Sequence, residues 1–253
     1  MIRPVGRVTR GTTGSNRLRR VDRWITHLAG RELRSADSPL SVDLGFGSAP
    51  TTTAQWQHTL RGINPASQVV GIEIDRDRVA AAAGIITAIH GGFEIPTRRR
   101  PLLIRAANVL RQYPLDEVAS AWHLMSSRLA SGGWLIDGTC DEQGRLAAML
   151  SIDATGRPVW FTASVRLAGL RTPSQVAARL PKALIHDNVA GSRIHELLEA
   201  MDRNWAAAPR WGARQRWINM ARTMREQGWA VRDSPSRWRL GELTVAWEQV
   251  APA

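Results

Sequence analysis

Ser41-Val42-Asp43-Leu44-Gly45-Phe46-Gly47-Ser48-Ala49-Pro50 decides how this chain is read. A short run of β-formers ending in an acid, then two glycines one residue apart, predicts a buried strand that turns sharply into a helix over Thr51 to Leu60. Pro50 belongs in the first helical turn, where its fixed φ suits and no amide proton is needed. The free amides of that helix start can receive an anion. Strand, glycine turn and helix in this order make the place where α/β sheets bind a small cofactor.

Working outward, Leu18 to Leu33 has apolar residues at helical spacing, with Gly30 near its end, and predicts a helix that covers the sheet edge. After Asn64-Pro65, residues 68 to 74 read as a second strand, ending in Glu73 and Ile74, and residues 75 to 89 as a second helix. A carboxylate at the tip of strand two can accept both hydroxyls of a ribose. Asp75 competes for that role, although an acid two positions on also suits a helix N-terminus. Gly91 to Pro96 is expected to be a short third strand, and Arg98-Arg99-Arg100 after it a solvated loop, which such a strand would place on the ligand side. Residues 101 to 106 read as strand four, 115 to 129 as a helix, and Ser131-Gly132-Gly133-Trp134 as a glycine turn into strand five. Residues 146 to 152 and 159 to 167 then extend the sheet in antiparallel fashion.

Asp43-Leu44-Gly45-Phe46-Gly47, the acid at Glu73 and the turn at 131 to 136 together resemble class I S-adenosylmethionine-dependent methyltransferases over about residues 40 to 137. The resemblance implies an α/β, Rossmann-like, mostly parallel sheet flanked by helices, and S-adenosyl-L-methionine as cofactor. It puts Gly45, Phe46 and Gly47 at the close backbone approach, Asp43 on the methionyl ammonium directly or through water, and Glu73 and Ile74 at the ribose. It also implies that Ala107 to Tyr113 crosses the transferring methyl, with Asn108 as the polar group there. Tyr113, Cys140, Asp141 and His186 are further candidates around the acceptor. Ser48-Ala49-Pro50 departs from the family, which favours another small glycine there. A nicotinamide dehydrogenase reading fails because Pro50 occupies the last position of G-x-G-x-x-G and an acid precedes the first glycine.

Residues 1 to 17 hold arginines without acids and are expected to form a flexible basic segment, disordered over the first ten residues. Gly11 to Asn16 is a candidate flap over a cleft. Residues 18 to 253 read as a single domain with a helical insertion at about 172 to 228, opened by a capping box at Thr172-Pro173-Ser174-Gln175. His186 lies in that insertion beside Lys182, the chain's one lysine. Residues 229 to 232 and 243 to 250 close the chain as a hairpin.

The 253 residues suffice for a large core, and the single cysteine, Cys140, excludes an intramolecular disulfide and a cysteine-based metal centre. No metal is expected. No apolar run approaches the ~20 residues that span a bilayer, and none follows the N-terminal arginines, so a cytoplasmic protein outside the membrane is the expectation. A formal charge of +12, nearly all arginine, suits polyanions. Gly-Phe-Gly, Asn64-Pro65 and Gly71-Ile72-Glu73 are also similar to the head of the tRNA guanine-N7 methyltransferases, which implies RNA as an alternative acceptor. Ala107-Asn108-Val109-Leu110 lacks that family's acidic, tryptophan-bearing motif, so a small-molecule acceptor leads. A non-catalytic binding protein of the same fold is the remaining alternative.

Overall fold

The computed structural model describes residues 3–11, 14–209 and 211–252. Among these residues eight strands form one sheet in the order β3-β2-β1-β4-β5-β6-β7-β8. Strands β1 (Leu40–Leu44), β2 (Gln68–Glu73), β3 (Thr87–His90), β4 (Leu103–Ala107) and β5 (Trp134–Cys140) are parallel, while β6 (Leu146–Ile152), β7 (Pro158–Val165) and β8 (Glu242–Ala246) continue it antiparallel. The order reverses between β1 and β4. At such a switch point the connections on either side leave the sheet in opposite directions and open a crevice at the strands' carboxyl ends.

Alternate strand residues feed two cores. Val42, Leu44, Ile72, Ile104, Leu135 and Leu150 face one side, packed by α5 (Leu115–Ser126), α7 (Arg193–Ala207) and α8 (Ala213–Glu226). Val69, Leu103, Ile136 and Met149 face the other, under α1 (Arg19–Leu28), α2 (Gly30–Ser35) and α3 (Thr51–Arg61). Each such fully buried aliphatic side chain contributes about 1.5–3 kcal/mol. The period of two is what commits Asp43 and Arg105 to the side of α1 and α3.

Several boundaries differ from the sequence expectation. The leading helix is broken at Ala29, so that Gly30 starts α2 instead of ending α1. Pro50 is the N-cap of α3, one place before its first turn. The helix expected over 75 to 89 is only α4 (Arg76–Ala81), capped by Asp75, whose carboxylate accepts from the amides of Asp77 and Arg78. Gly84, at φ +80°, ends helical geometry, and the β-branched residues that follow lead into β3. Gly91 to Pro96 is therefore the loop after β3, not a strand. Arg99 and Arg100 donate to the carbonyls of Ser38, Ser127 and Leu129, before β1 and after α5, so they brace the end of the sheet opposite the glycine turn. No capping box forms at Thr172: residues 173–179 are a 3-10 turn, and Gln175 accepts from the amide of Arg171. α6 (Lys182–Ile185) precedes α7, and α9 (Pro235–Trp238) precedes β8. The terminal hairpin reduces to a single bridge between Val231 and Val245.

Candidate functional site

The glycine turn behaves as its spacing requires. Gly45 and Gly47 adopt φ +69° and +81°, which side chains rarely tolerate. A Cβ on Gly45 would lie 2.8 Å from the Val109 methyl, and one on Gly47 would strike the backbone of Gly11. The Gly45 amide donates to the carbonyl of Ile72 at 2.7 Å and the Gly47 amide to Glu73 Oε2 at 3.0 Å, so turn and β2 tip form one unit. Glu73 is 2% exposed. Its Oε1 accepts from the amides of Ile74 and Asp75, which fixes the carboxylate at the end of the strand.

Asp43 is also buried, and its carboxylate is already engaged. Arg105 donates from Nε to Oδ1 at 2.9 Å and from Nη2 to Oδ2 at 2.6 Å, and the Thr53 hydroxyl donates to Oδ2 at 2.6 Å. Arg105 also pairs with Asp22 of α1 and lies 4.4 Å from the Trp56 ring centroid. A carboxylate offers about four acceptor positions, so these three bonds leave one toward the crevice. Arg105 was not singled out by motif, although an arginine within Leu-Leu-Ile-Arg-Ala signals a buried carboxylate partner.

Asn108 occupies the left-handed region at φ 60°, where asparagine is tolerated. Its Oδ1 accepts from the Cys140 amide at 2.9 Å and its Nδ2 lies 3.3 Å from the Cys140 sulfur, which ties the tip of β4 to β5. Burial pushes the Cys140 thiol above its ordinary pKa, against the hydrogen bond from Asn108. Asp141 accepts from the amides of Arg145 and Leu146 and serves as a turn anchor. His186 follows α6, is exposed, and is not brought to the crevice.

A cavity of about 490 Å³ opens at the switch point, walled by Asp43, Gly45, Phe46, Gly47, Thr52 and Asn108. Its remaining wall includes Arg10, Arg17, Arg111 and Arg179, none of which was assigned to a site from sequence. No histidine lines it among the described residues, and its one carboxylate, Asp43, is ion-paired.

Residues 5–11 form an extended strap across the neighbouring part of the site, in place of the disordered tail expected there. The Phe93 amide donates to the Val5 carbonyl at 2.8 Å, and the Arg7 amide donates to the Tyr113 hydroxyl at 2.7 Å. That hydroxyl also donates to the Arg7 carbonyl at 3.1 Å. Arg78 donates to the Thr9 carbonyl, and both the amide and the hydroxyl of Ser48 donate to the carbonyl of Gly11. Tyr113 thus lies beneath the strap, outside the wall of the large cavity. The strap leaves about 20 Å³ beside Glu73 and Ile74, room for about one water. Thr12 and Thr13 of the expected flap fall outside the described residues.

No family model and no curated protein matches the sequence. Solved structures do. The plantazolicin methyltransferase BamL, in complex with a triazolic desmethylPZN analog and SAH, is 10% identical over 50% of this chain and 47% of its own, with a TM-score of 0.39. The sugar N-methyltransferase KedS8 from Streptoalloteichus sp. is 17% identical over 57% of this chain and 60% of its own, with a TM-score of 0.34. Magnesium protoporphyrin IX methyltransferase from Synechocystis, with bound SAM, is 17% identical over 47% and 57%, with a TM-score of 0.36. The chain spans less than two thirds of the length of each. The fold assignment rests on this chain's own strand order, which is that of a Rossmann-like α/β sheet, and among its described residues no helix is long and apolar enough to cross a membrane.

Proposed function

We propose that this chain is an S-adenosylmethionine-dependent methyltransferase with a small-molecule acceptor. One observation carries the reading. A buried carboxylate, Glu73, sits at the tip of β2, 3.0 Å from the amide of Gly47 in an Asp-x-Gly-x-Gly turn at the switch point. A turn of left-handed glycines lets the backbone approach a ligand, and an acid at the next strand tip accepts a ribose. The Asp43, Glu73 and Gly47 set fits the adenosyl cofactor in residue type and order.

When bound, the cofactor supplies a methyl group made electrophilic by its sulfonium. The chain's own work is positioning, because an in-line displacement gains most from holding the partners in line. Gly45 and Gly47 present backbone at the turn, and Asp43 retains one acceptor position for an ammonium, directly or through water. Glu73 and Ile74 take the ribose once Val5 to Thr9 lift, since the strap fills that space. Asn108 sets the geometry of the β4 tip, in this reading through Cys140 rather than by touching the acceptor. With no histidine and no unpaired carboxylate along the described cavity wall, the acceptor atom enters already able to attack. A cytoplasmic place of action belongs to the same reading and agrees with the buried free thiol of Cys140.

Titration calorimetry of the full chain with S-adenosylhomocysteine tests the reading. Binding with a saturable heat is expected; a folded sample giving neither heat nor a thermal shift contradicts it.

A further inference from the structure

The large cavity is more basic than a sulfonium cofactor requires. Arg10 comes from the strap, Arg17 from the turn before α1, Arg111 from the 3-10 turn at residues 110–112, and Arg179 from the end of the 3-10 turn at residues 173–179. Four separate segments thus bring an arginine to the wall of one space. No ion pair engages Arg10, Arg111 or Arg179 among the described residues. Arg17 donates to the Asp141 carbonyl, and Arg111 donates to the Leu180 carbonyl, which holds the Arg111 side chain in place without neutralising it. The Arg179 Nε is buried and has no hydrogen-bond partner. Arg111 has its pKa lowered by burial and then by the charge of Arg179, a sign that two cations share a poorly solvated wall.

Holding like charges together around a cavity costs free energy, and an orphaned buried donor adds to it. A bound anion removes both costs through charge-assisted, forked hydrogen bonds. S-adenosylmethionine brings this wall one carboxylate beside an ammonium and a sulfonium, so it can pair with part of the arginine set and leaves the rest of the positive charge uncompensated. We propose that this cavity binds a small anionic acceptor, one bearing a carboxylate or phosphate group, through Arg10, Arg17, Arg111 and Arg179. The assignment of that ligand as acceptor rests on the methyltransferase reading; the anion site itself stands on the arginine wall. An anion in place also screens the wall from the cofactor, so anion and cofactor each tighten the other's binding.

The test is calorimetry on the full chain with inorganic phosphate in one arm and succinate in the other, at ionic strength fixed with sodium chloride, with and without S-adenosylhomocysteine. Saturable binding in at least one arm is expected, and the arm that binds tells phosphate from carboxylate. Arg179→Gln should weaken it tenfold or more, and Arg10→Gln, on the exposed strap, at least threefold. Arg203→Gln on the outer face of α7 serves as the control and should change nothing. If Arg179→Gln fails to fold, Arg10→Gln decides alone. No binding in either arm, or binding that ignores the substitutions, overturns the proposal. Displacement of the bound anion by a short RNA hairpin, with a steep salt dependence, also overturns it in favour of a polynucleotide. Anion binding without cofactor binding would fell the methyltransferase reading alone, whereas cofactor binding without anion binding would fell the anion site alone.

Discussion

Asp43 on β1 and Arg105 on β4 are register partners across the switch point, and their side chains form a two-pronged ion pair at 2.9 and 2.6 Å. The acid of the glycine-turn motif is therefore held by the neighbouring strand before any ligand arrives. Arg105 is fully buried, and its second partner, Asp22, brings α1 onto the same charge. The cluster fixes the end of β1 from which Gly45 and Gly47 project.

Replacing Arg105 tests this arrangement. Arg105→Met would leave two carboxylates buried without a counter-ion, a defect that costs about 3–5 kcal/mol. For a chain of this length that corresponds to a melting temperature lower by about 6–20 °C. Thermal unfolding followed by circular dichroism measures it. A change of under 2 °C would mean that Asp22 and Asp43 find other partners or accept protons cheaply.

The parallel core was legible because strand ends carry chemical punctuation: an acid within β1 and two glycines after it, an acid as the last residue of β2, a glycine turn before β5. The edge strand β3 was not. Ala80 to Ile89 is apolar apart from Gly84 and Thr87, a pattern that periodicity cannot divide between helix and strand, and Gly84 at positive φ marks the change. At the site, Gly45, Gly47 and Glu73 were legible as residue types with fixed offsets. The strap was not, because apart from the Arg7 side chain, which pairs with Glu117, Val5 to Gly11 is held by backbone carbonyls and amides that leave no side-chain pattern. The arginine wall was hidden for a different reason: its four members come from segments distant in sequence, in a chain where arginine is common everywhere.

The strap fills the space beside Glu73 that the proposed function gives to the cofactor, and Tyr113 holds it with two hydrogen bonds. Tyr113→Phe removes both. At about 1 kcal/mol net for each bond, the covered state loses about 1–2 kcal/mol, and the open, binding-competent fraction rises accordingly. Calorimetry should show S-adenosylhomocysteine binding about 5- to 30-fold more tightly to this variant than to the native chain. Weaker binding would place the phenol on the cofactor instead of on the strap.

Asp137 gives the fold a pH dependence away from the site. Burial pushes its carboxyl up to about 7 from an ordinary 3.8, against one hydrogen bond from the Trp122 indole. Its other oxygen has no partner. A raised carboxyl pKa means that the folded state binds more protons than the unfolded chain between pH about 4 and about 7, so stability is greatest below that window and declines as pH rises through it. Burial raises Asp22 to about 6, opposed by Arg105, and acts in the same direction. Asp137→Asn should melt at the native temperature near pH 4 and higher than the native chain at pH 8, by a difference of up to about 4 kcal/mol in stability. Parallel melting curves from pH 4 to 8 would show that Asp137 is not neutral in the fold.

The central claim is that Glu73 at the β2 tip holds the ribose of an adenosyl cofactor, and calorimetry of S-adenosylhomocysteine against Glu73→Ala, with Asp75→Ala beside it, tests it most directly. Three amides already occupy Glu73 and leave one acceptor position, so one charge-assisted hydrogen bond to the ribose puts the expected loss at about 1.5–3 kcal/mol for Glu73→Ala in a chain whose circular dichroism stays native. Asp75→Ala, which removes the cap of α4 and an ion pair with Arg78, should bind as the native chain does. Equal affinity for the native and Glu73→Ala chains, or no measurable affinity in either, would contradict the account.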